Sequence, residues 1–460
     1  MSTCLVIGAG GYIGRPLVAA LVGAGHGVRA MGRSLDPEDV PGGVTVLRGD
    51  ARVPVAVAAA VAGVDVVYHL VHSMAGDDFV SVDDEIARVV AKAAVEAGVR
   101  QVVYLGGPRP GGDDVSAHLA SRAGVGDVFL RAPVPALVLQ ASMIIGAGSA
   151  SLDLLARASR AAPVLLAPPW MDNRSRPVAL DDVLHHLVAA AGAAPRNETV
   201  ELAGPETVTY LDLVQRYARV ARLRRRVPVP IPPLPDGPTA TAVSVFSPLP
   251  APLVRALLES LRHDLVPDPA AVAAPPPGGA TSVDQALRAA LGLPAPEAPP
   301  SIAPGLRTDH REVASASTDT GLWRVITDIG GAAGWHTIPG AWALRGAIDH
   351  VIGGVGLHRG RPERLAEGDS VDSWTVVERD DERRVLVLRA DMRLPGKAWL
   401  TLRARPGPAA DESVLEQTVT YQPDGVAGTL YWYANKPAHD VVFGLMARGI
   451  AHAAERAPLG

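Results

Sequence analysis

The stretch VIGAGGYIG, residues 6–14, places three glycines three residues apart, directly after a short apolar run. Gly8 permits the tight turn that leaves a strand, Gly11 lets the backbone approach a pyrophosphate, and Gly14 lets the next helix pack closely. The N–H groups at the start of that helix then face the phosphates. An Ala- and Leu-rich segment and a second strand pattern follow. The sequence therefore predicts a nucleotide-binding turn.

Short apolar runs alternate with Ala-rich segments from residue 1 to about 150. Such continuous runs are typical of buried parallel strands, and the segments between them fit crossover helices. The runs are Cys4 to Ile7, Val28 to Met31, Val44 to Leu47, Val64 to Leu70, Gln101 to Leu105 and Ala136 to Leu139. We predict an α/β fold of the Rossmann type, a doubly wound parallel sheet, with helical segments between 151 and 292 as a cap on its substrate side.

The composition narrows the classes of partner. The net charge is −5 over 460 residues, and no long basic block is present, which argues against nucleic acid. Cys4 is the sole cysteine, so an internal disulfide and a Cys-based zinc site are excluded, as suits a reducing cytoplasm. No apolar stretch reaches the roughly 18 residues of a membrane span. We expect a cytoplasmic protein without a membrane span, and we leave its oligomeric state open.

The C-terminal third has a different character. Six of the seven tryptophans follow a Pro-rich spacer at 293–305. Alternating segments such as SVLEQTVTYQP predict antiparallel strands, and AHDVVFGLMARGIAHAAER predicts a closing amphipathic helix. We expect an α+β domain at 306–460 whose curved sheet wraps the helix and encloses an apolar cavity.

The end of the second predicted strand, VRAMGRS at 28–34, bears on the choice of cofactor. Enzymes that use NAD place an acidic residue here for the ribose 2′-hydroxyl, whereas an arginine accommodates a 2′-phosphate. This chain offers Arg33 with Ser34, and Arg29 as an alternative. NADP(H) is therefore favoured over NAD(H). Asp50, after the third strand, is placed for the adenine amino group or for a helix cap.

Several motifs resemble known families. The chain resembles the atypical, NmrA-like branch of the short-chain dehydrogenase/reductases in its glycine spacing, in Arg33, and in VYHLVHSM (67–74) and VVYLGGPRP (102–110). LPGKAWL and GVAGTLYWYANKPAH resemble a C-terminal domain of unknown function of the DUF2867 type, which is similar to SRPBCC and START-like helix-grip folds. The resemblance implies an NAD(P)-binding domain with its cap at 1–292, a linker at 293–305 and a domain at 306–460 that holds a hydrophobic ligand.

The proton-transfer residues of the resembled reductases are missing. Those enzymes carry Tyr-x-x-x-Lys, in which the tyrosine protonates the developing alkoxide and the lysine holds the nicotinamide ribose. Here the strand ends in Gly106–Gly107 and the helix carries His118 and Arg122 at i, i+4, on one face. We predict that His118 donates the proton and Arg122 holds the ribose, with His72 and Ser73 as alternative donors. Purely structural roles for these residues stay open.

These patterns lead to one leading hypothesis and two alternatives. The leading one is an NADPH-dependent reductase of a hydrophobic small molecule such as a quinone, enone, iminium or polyketide-like intermediate. The alternatives are an NADP(H)-binding redox sensor without turnover and a non-redox cyclase or isomerase. No metal site is predicted, and Asn435 and Lys436 would give a cavity ligand a polar end. The predicted cofactor residues are Gly8, Gly11, Tyr12, Ile13, Gly14, Arg33, Ser34, Asp50, Leu70 and Val71.

Overall fold

A computed structural model describes most of the chain. The described residues are 1–72, 79–109, 116–161, 164–223, 226–232, 251–301, 305–331, 333–337, 362 and 364–456. They form two compact units, the first made of Met1–Val214 and Pro228–Ala286, the second of Gln215–Val227 and Leu287–Gly460. The limits drawn from the sequence at 292 and 306 stay predictions.

The first unit alternates strands and helices along the chain. Its strands are β1 Thr3–Ile7, β2 Gly27–Gly32, β3 Thr45–Arg48, β4 Val66–His69, β5 Gln101–Gly106, β6 Ala136–Ala141, β7 Ile144–Ile145, β8 Val164–Ala167, β9 Arg174–Ser175, β10 Val178–Ala179, β11 Glu198–Leu202 and β12 Val208–Thr209. Its helices are α1 Gly14–Gly23, α2 Pro54–Val61, α3 Phe79–Glu96, α4 Ala117–Arg131, α5 Ala150–Ala161, α6 Leu180–Gly192 and α8 Ala251–Ser260. Three elements have residues in both units: α7 Tyr210–Val220, β13 Val227–Pro230 and α9 Val283–Ala290.

Seven parallel strands form the central sheet, in the order β11-β6-β5-β4-β1-β2-β3. The chain starts in the middle of the sheet and winds outward in both directions, so the predicted doubly wound parallel sheet is confirmed. Ile7 pairs with His69, and His69 pairs with Tyr104, so the carboxyl ends of β1, β4 and β5 lie side by side. The strand β11 was not predicted, because ETVEL alternates polar residues in a way that suits an exposed sheet edge.

Successive side chains of the central strands enter two separate cores. Leu5 and Ile7 of β1 pack on one face of the sheet, and Cys4 and Val6 pack on the other. The Tyr68 hydroxyl donates a 2.8 Å hydrogen bond to the Leu187 carbonyl within the second core. Cys4 is fully buried, and this burial raises the pKa of its thiol to about 12. Both faces are therefore covered, as the unbroken apolar runs of the sequence indicated.

The second unit contains one antiparallel sheet. Its strands are β14 Arg307–Ser315, β15 Ser370–Val371, β16 Trp374–Asp380, β17 Val385–Ala390, β18 Gly396–Pro406 and β19 Ser413–Pro423, in the order β14-β19-β18-β17-β16-β15. Its helices are α10 Asp319–Thr327 and α11 Gly425–Arg456. Leu322, Met446 and Ile450 of these helices pack with sheet residues such as Leu400 in one core. The predicted combination of antiparallel strands and a terminal helix is present.

The helix α11 begins earlier than the sequence pattern predicts. Its predicted start lies at Ala438, but it begins at Gly425 and continues through Pro437. Proline removes a helical hydrogen bond, which made a break there the expected outcome. The stacking of Trp432 on Tyr421, with ring centroids 5.5 Å apart, fixes the first half of the helix against the sheet instead. Among the described residues no helix, α11 included, combines the length and apolarity needed to span a membrane.

Replacing Gly14 by alanine should destabilise the first unit. A Cβ at Gly14 would lie 2.2 Å from the Gly8 carbonyl oxygen and 2.7 Å from the Ala9 Cα, so the backbone would have to move. We expect a loss of about 1–3 kcal/mol in the free energy of unfolding, measured by denaturant titration. The control is Gly124→Ala in α4, where a Cβ meets no atom within 4 Å. The free energy of unfolding of this control variant should instead rise by about 0.5–1 kcal/mol. Equal effects of the two variants would contradict the close packing of Gly14.

Candidate functional site

The glycine turn lies directly against the end of β4. Gly8 has φ +89°, and a Cβ there would meet the Leu70 carbonyl at 3.0–3.1 Å and the Val71 nitrogen at 3.2 Å. The Gly8 N–H donates to the Met31 carbonyl of β2 at 3.0 Å. Only a residue without a side chain fits this position, because both the left-handed backbone and the close approach exclude a Cβ. The turn thereby brings β1, β2 and β4 together at one edge of the sheet.

The N-terminus of α1 lies at the same edge. The helix begins at Gly14, its N-cap residue Ile13 offers no side-chain acceptor, and its first turn has no acidic residue. Uncapped N–H groups and the positive end of the helix dipole favour an anionic group at this position. Gly11 is exposed beside it. The residues present therefore fit the phosphates of a dinucleotide.

The side chains of Tyr12 and Ile13 turn inward. The Tyr12 hydroxyl lies so close to Gly146 that a Cβ on that glycine would come within 2.4 Å of it. Burial raises the pKa of this hydroxyl to about 12. Ile13 packs against the core that contains Cys4 and Val6. Both side chains are half-buried, and their role at a cofactor stays a prediction.

The residues proposed for the adenosine end lie at the ends of β2 and β3. Arg33 and Ser34 are exposed immediately beyond β2. The alternative, Arg29, is engaged elsewhere, because its Nη1 donates to the Ala60 and Ala62 carbonyls at 3.0 and 2.7 Å.

Asp50 also has a partner within the chain. The Arg52 Nη2 donates to it at 2.6 Å, and hydrogen bonds from Arg52 lower the pKa of the carboxyl to about 2. Arg33 lies close enough to lower it further. A carboxylate has additional lone pairs, so adenine recognition by Asp50 stays a prediction.

The structure brings His72, His118 and Arg122 together with a fourth residue. The His72 Nδ1 lies 2.7 Å from Oδ2 of Asp83, and the His72 Nε2 lies 3.2 Å from the His118 Nδ1. Asp83 is 3% exposed, and the histidines are 16% and 8% exposed. His72 follows Val71, whose backbone touches Gly8, so this chain of polar groups begins beside the glycine turn.

Arg122 is held between α4 and the end of β5. Its Nη2 donates to the Leu105 carbonyl at 3.0 Å, and its own carbonyl accepts from the Tyr104 hydroxyl at 3.1 Å. A Cβ on Gly107 would lie 3.2 Å from the Arg122 Cδ and Nε, so the glycine leaves room for the guanidinium. The Arg122 Nε is buried and has no hydrogen-bond partner in the described part of the chain. A role at the ribose stays a prediction.

The surroundings of the histidines at this edge disfavour their charged forms. Burial, followed by the charge of Arg122, lowers the pKa of His118 to about 3. Burial also lowers the pKa of His72, although the hydrogen bond that its ring forms to Asp83 opposes this shift. His69 is completely buried against Phe129, and its pKa is lowered to about 4. The two linked imidazoles are therefore neutral groups that can give or accept a proton.

Asp83 was not identified from the sequence. It lies on α3 three, four and seven residues before Ile86, Ala87 and Val90, all of which pack in the core. A carboxylate on the apolar stripe of a helix is the signal that could have revealed it, because an ionised group is rarely buried without a partner. The other predicted donor, Ser73, lies outside the described residues.

An apolar cavity of about 190 Å³ lies in the second unit, between the sheet and α11. Aromatic and aliphatic side chains line it, among them Trp374, Tyr421, Trp432 and Phe443. Asn435 lines the cavity, whereas the Lys436 Nζ is bound to Asp440 at 2.5 Å.

Two aromatic residues of this unit, Tyr433 and Trp335, do not line the cavity. Tyr433 is 61% exposed. Trp335 is buried and donates to Asp372 at 2.7 Å. Trp342 lies outside the described residues.

His439 lies at one side of the cavity beside two carboxylates. Its Nδ1 is 3.3 Å from Asp309, and together with Asp440 these are the residues, within the described ranges, whose spacing could hold a metal ion. The Arg311 Nη2 donates to Asp309 at 2.5 Å and to Asp440 at 3.0 Å. A guanidinium already supplies the positive charge between these carboxylates, so the donor set does not fit a cation.

Comparisons with known proteins agree with this division. Residues 8–129 match a family model described as NAD(P)H-binding, and residues 306–446 match a protein family of unknown function, DUF2867. A 2-alkyl-3-oxoalkanoate reductase of Stenotrophomonas maltophilia (strain K279a) is 51% identical over 65 residues, which is 14% of this chain. The match spans only 20% of that reductase.

Two solved structures of similar proteins each cover a little more than half of the chain. The protein gox2253 is 19% identical, covering 58% of this chain and 89% of its own, with a TM-score of 0.45. The enzyme WbmH of Bordetella bronchiseptica, in complex with NAD+, is 17% identical, covering 57% of this chain and 99% of its own, with a TM-score of 0.43. The chain thus carries an NAD(P)H-binding domain followed by a DUF2867 domain, in the order predicted from its sequence.

Proposed function

We propose that this protein is an NAD(P)H-dependent oxidoreductase that reduces a hydrophobic small molecule. The observation that carries the proposal is the contact of Gly8 with Leu70 and Val71, beside the uncapped N-terminus of α1. The nicotinamide of a cofactor bound there would lie toward His72, which follows Val71. When bound, the cofactor supplies the hydride, and the residues of this chain bind it, orient it and move the proton.

The charge distribution supports NADP(H) as the preferred cofactor. Arg33 and Ser34 are exposed at the end of β2, where the 2′-phosphate of NADPH would lie. The nearest acid in sequence, Asp36, forms an ion pair with Arg48 and so does not offer a free carboxylate to a ribose 2′-hydroxyl. An arginine pairs with phosphate through several charge-assisted hydrogen bonds.

The cavity of the second unit supports a hydrophobic ligand. At about 190 Å³ it lies between the roughly 150 Å³ that holds benzene and the roughly 300 Å³ of small drug-binding sites, so one or two rings or a short alkyl chain would fill it. We assign this unit to the helix-grip class on the grounds of its sheet, terminal helix and cavity. The name of the matched reductase makes a 2-alkyl-3-oxoalkanoate the first acceptor to test, followed by menadione as a quinone.

Gly11→Asp should abolish tight cofactor binding without unfolding the protein. Gly11 is exposed and its Cβ would lie 3.2 Å from the Gly8 carbonyl oxygen, so the turn has to shift by only a few tenths of an ångström, while the new carboxylate repels the phosphates. We expect the Kd for NADPH, measured by calorimetry, to rise at least tenfold. Gly42→Asp is the control, since it adds the same charge in the exposed loop before β3. Unchanged NADPH turnover in Gly11→Asp would refute the proposal, and binding without consumption of NADPH by any acceptor would favour a redox sensor.

Arg33→Ala should weaken the binding of NADPH and leave that of NADH unchanged. Removing the guanidinium leaves the 2′-phosphate without its ionic partner, a loss of roughly tenfold to a hundredfold in affinity. NADH lacks this phosphate and is the internal control in the same titration. Equal losses for both cofactors would show that Arg33 stabilises the loop, and no loss for either would remove it from the site.

Ala438→Trp should block the cavity. Ala438 lines it from an exposed position of α11, so an indole can enter without unfolding the helix. We expect the affinity for the two-ring fluorescent probe 2-naphthol to fall at least fivefold. Ala434→Trp is the matched control, because Ala434 is exposed on the same helix and does not line the cavity. Equal probe binding by both variants and the native protein would place the hydrophobic site elsewhere.

A further inference from the structure

Asp83, His72 and His118 form a continuous polar chain across three elements of the first unit. Asp83 lies on the core-facing side of α3, His72 follows β4, and His118 lies in the first turn of α4. The two links of the chain measure 2.7 and 3.2 Å. A carboxylate, an imidazole and a second imidazole in series are groups that transfer protons at neutral pH.

Resting on the proposed function, we propose that these three residues are the proton relay of the reaction, with His118 as the group that exchanges a proton with the substrate oxygen. His72 passes the proton on, and Asp83 is a positioning residue that orients His72 and stabilises its charged form. The relay takes the place of the tyrosine in the resembled reductases. Tyr104, on β5, cannot take that role, because its hydroxyl is bonded to the Arg122 carbonyl.

The available donors and acceptors determine which ring nitrogen carries each proton. An ionised Asp83 only accepts, so the His72 Nδ1 donates to it and the His72 Nε2 is left to accept. The His118 Nδ1 must then donate to that Nε2, which leaves the His118 Nε2 as an acceptor. In this neutral state the site is ready to take a proton from a hydroxyl group.

Protons and electrons balance in both directions of the reaction. In oxidation of an alcohol, the His118 Nε2 takes the hydroxyl proton while the carbon gives its hydride to NADP+, and the His118 Nδ1 proton moves to the His72 Nε2. His72 is then an imidazolium beside Asp83, and it returns its extra proton to solvent through His118 after the product leaves. Reduction of a ketone by NADPH follows the same path in reverse, with the proton drawn from solvent.

The charged groups around the relay have opposite effects on the pKa of its histidines. Asp83 favours the imidazolium on His72, whereas Arg122 disfavours it on both His72 and His118. The uncharged His69 and Tyr104 complete the titratable groups among the described neighbours, and burial favours the neutral form throughout. Removing Asp83 therefore lowers the pKa of the pair, since the sole group that stabilises the cation is lost from the described surroundings.

Nitrogen NMR of the histidine rings tests the relay without any substrate. The full-length protein is labelled with 15N-histidine, and the ring signals are assigned with His72→Gln and His118→Gln. In the native protein both rings should carry their proton on Nδ1 and titrate as a coupled pair. Asp83→Asn should lower their midpoint by about one pH unit or more. Asp84→Asn, which breaks only the exposed pair with Arg88, is the control and should change nothing.

Steady-state kinetics then links the relay to chemistry. With NADPH and a 2-alkyl-3-oxoalkanoate, the rate of reduction should fall as pH rises through the pKa of the pair, because the proton donor is lost. Asp83→Asn should move this fall to lower pH and reduce kcat at pH 7 about tenfold, with the KM for NADPH unchanged.

The two measurements separate the possible failures. The relay is wrong if Asp83→Asn behaves like Asp84→Asn in the titration, or if His118 titrates identically with and without His72. If the titration behaves as expected and NADPH binds but no acceptor is reduced, the coupled pair stands and the oxidoreductase function fails. A kcat loss without a shifted pH profile would assign Asp83 a purely structural role.

Discussion

The architecture of the first unit depends on one close approach of backbone to backbone. Gly8 lies against Leu70 and Val71 at a distance that no side chain allows, and Gly14 lies against the Gly8 carbonyl in the same way. These contacts hold the N-terminus of α1 over the edge of the sheet where β1 and β4 end. The position of the anion site and the course of the chain toward His72 both follow from this approach.

A second constraint arises from placing an ionisable group in a hydrophobic layer. Asp83 is 3% exposed on a helix face otherwise made of Ile86, Ala87 and Val90. Burying an isolated carboxylate costs free energy. The hydrogen bond between Asp83 and His72 offsets part of that cost. The same link joins α3 to the segment after β4. The carboxylate that we propose for the relay therefore also connects two parts of the fold.

The fold of the first unit was predictable because its signals are local. Unbroken apolar runs located six strands, and the glycine spacing placed the cofactor turn, since backbone sterics act over a few residues. The pairing of His118 with Arg122 could be predicted from helical spacing alone. The contact of His72 with His118 could not, because it joins residues 46 positions apart through the packing of three elements. The burial of Asp83 has a local signal in the apolar stripe of α3, but its bond to His72 has none. The start of α11 was misplaced because the stacking of Trp432 on Tyr421 outweighs the local effect of Pro437.

The burial of Cys4 has a practical consequence. It is the sole cysteine of the chain and is sealed within β1, with a thiol that stays protonated far above neutral pH. Maleimides and other thiol reagents need an accessible thiolate, so the native fold presents them with no target. Any cysteine introduced on the surface becomes the single point of attachment for a dye or spin label, and no native residue has to be removed first. Two introduced cysteines, one in each unit, would therefore report the distance between the units in an otherwise unaltered protein.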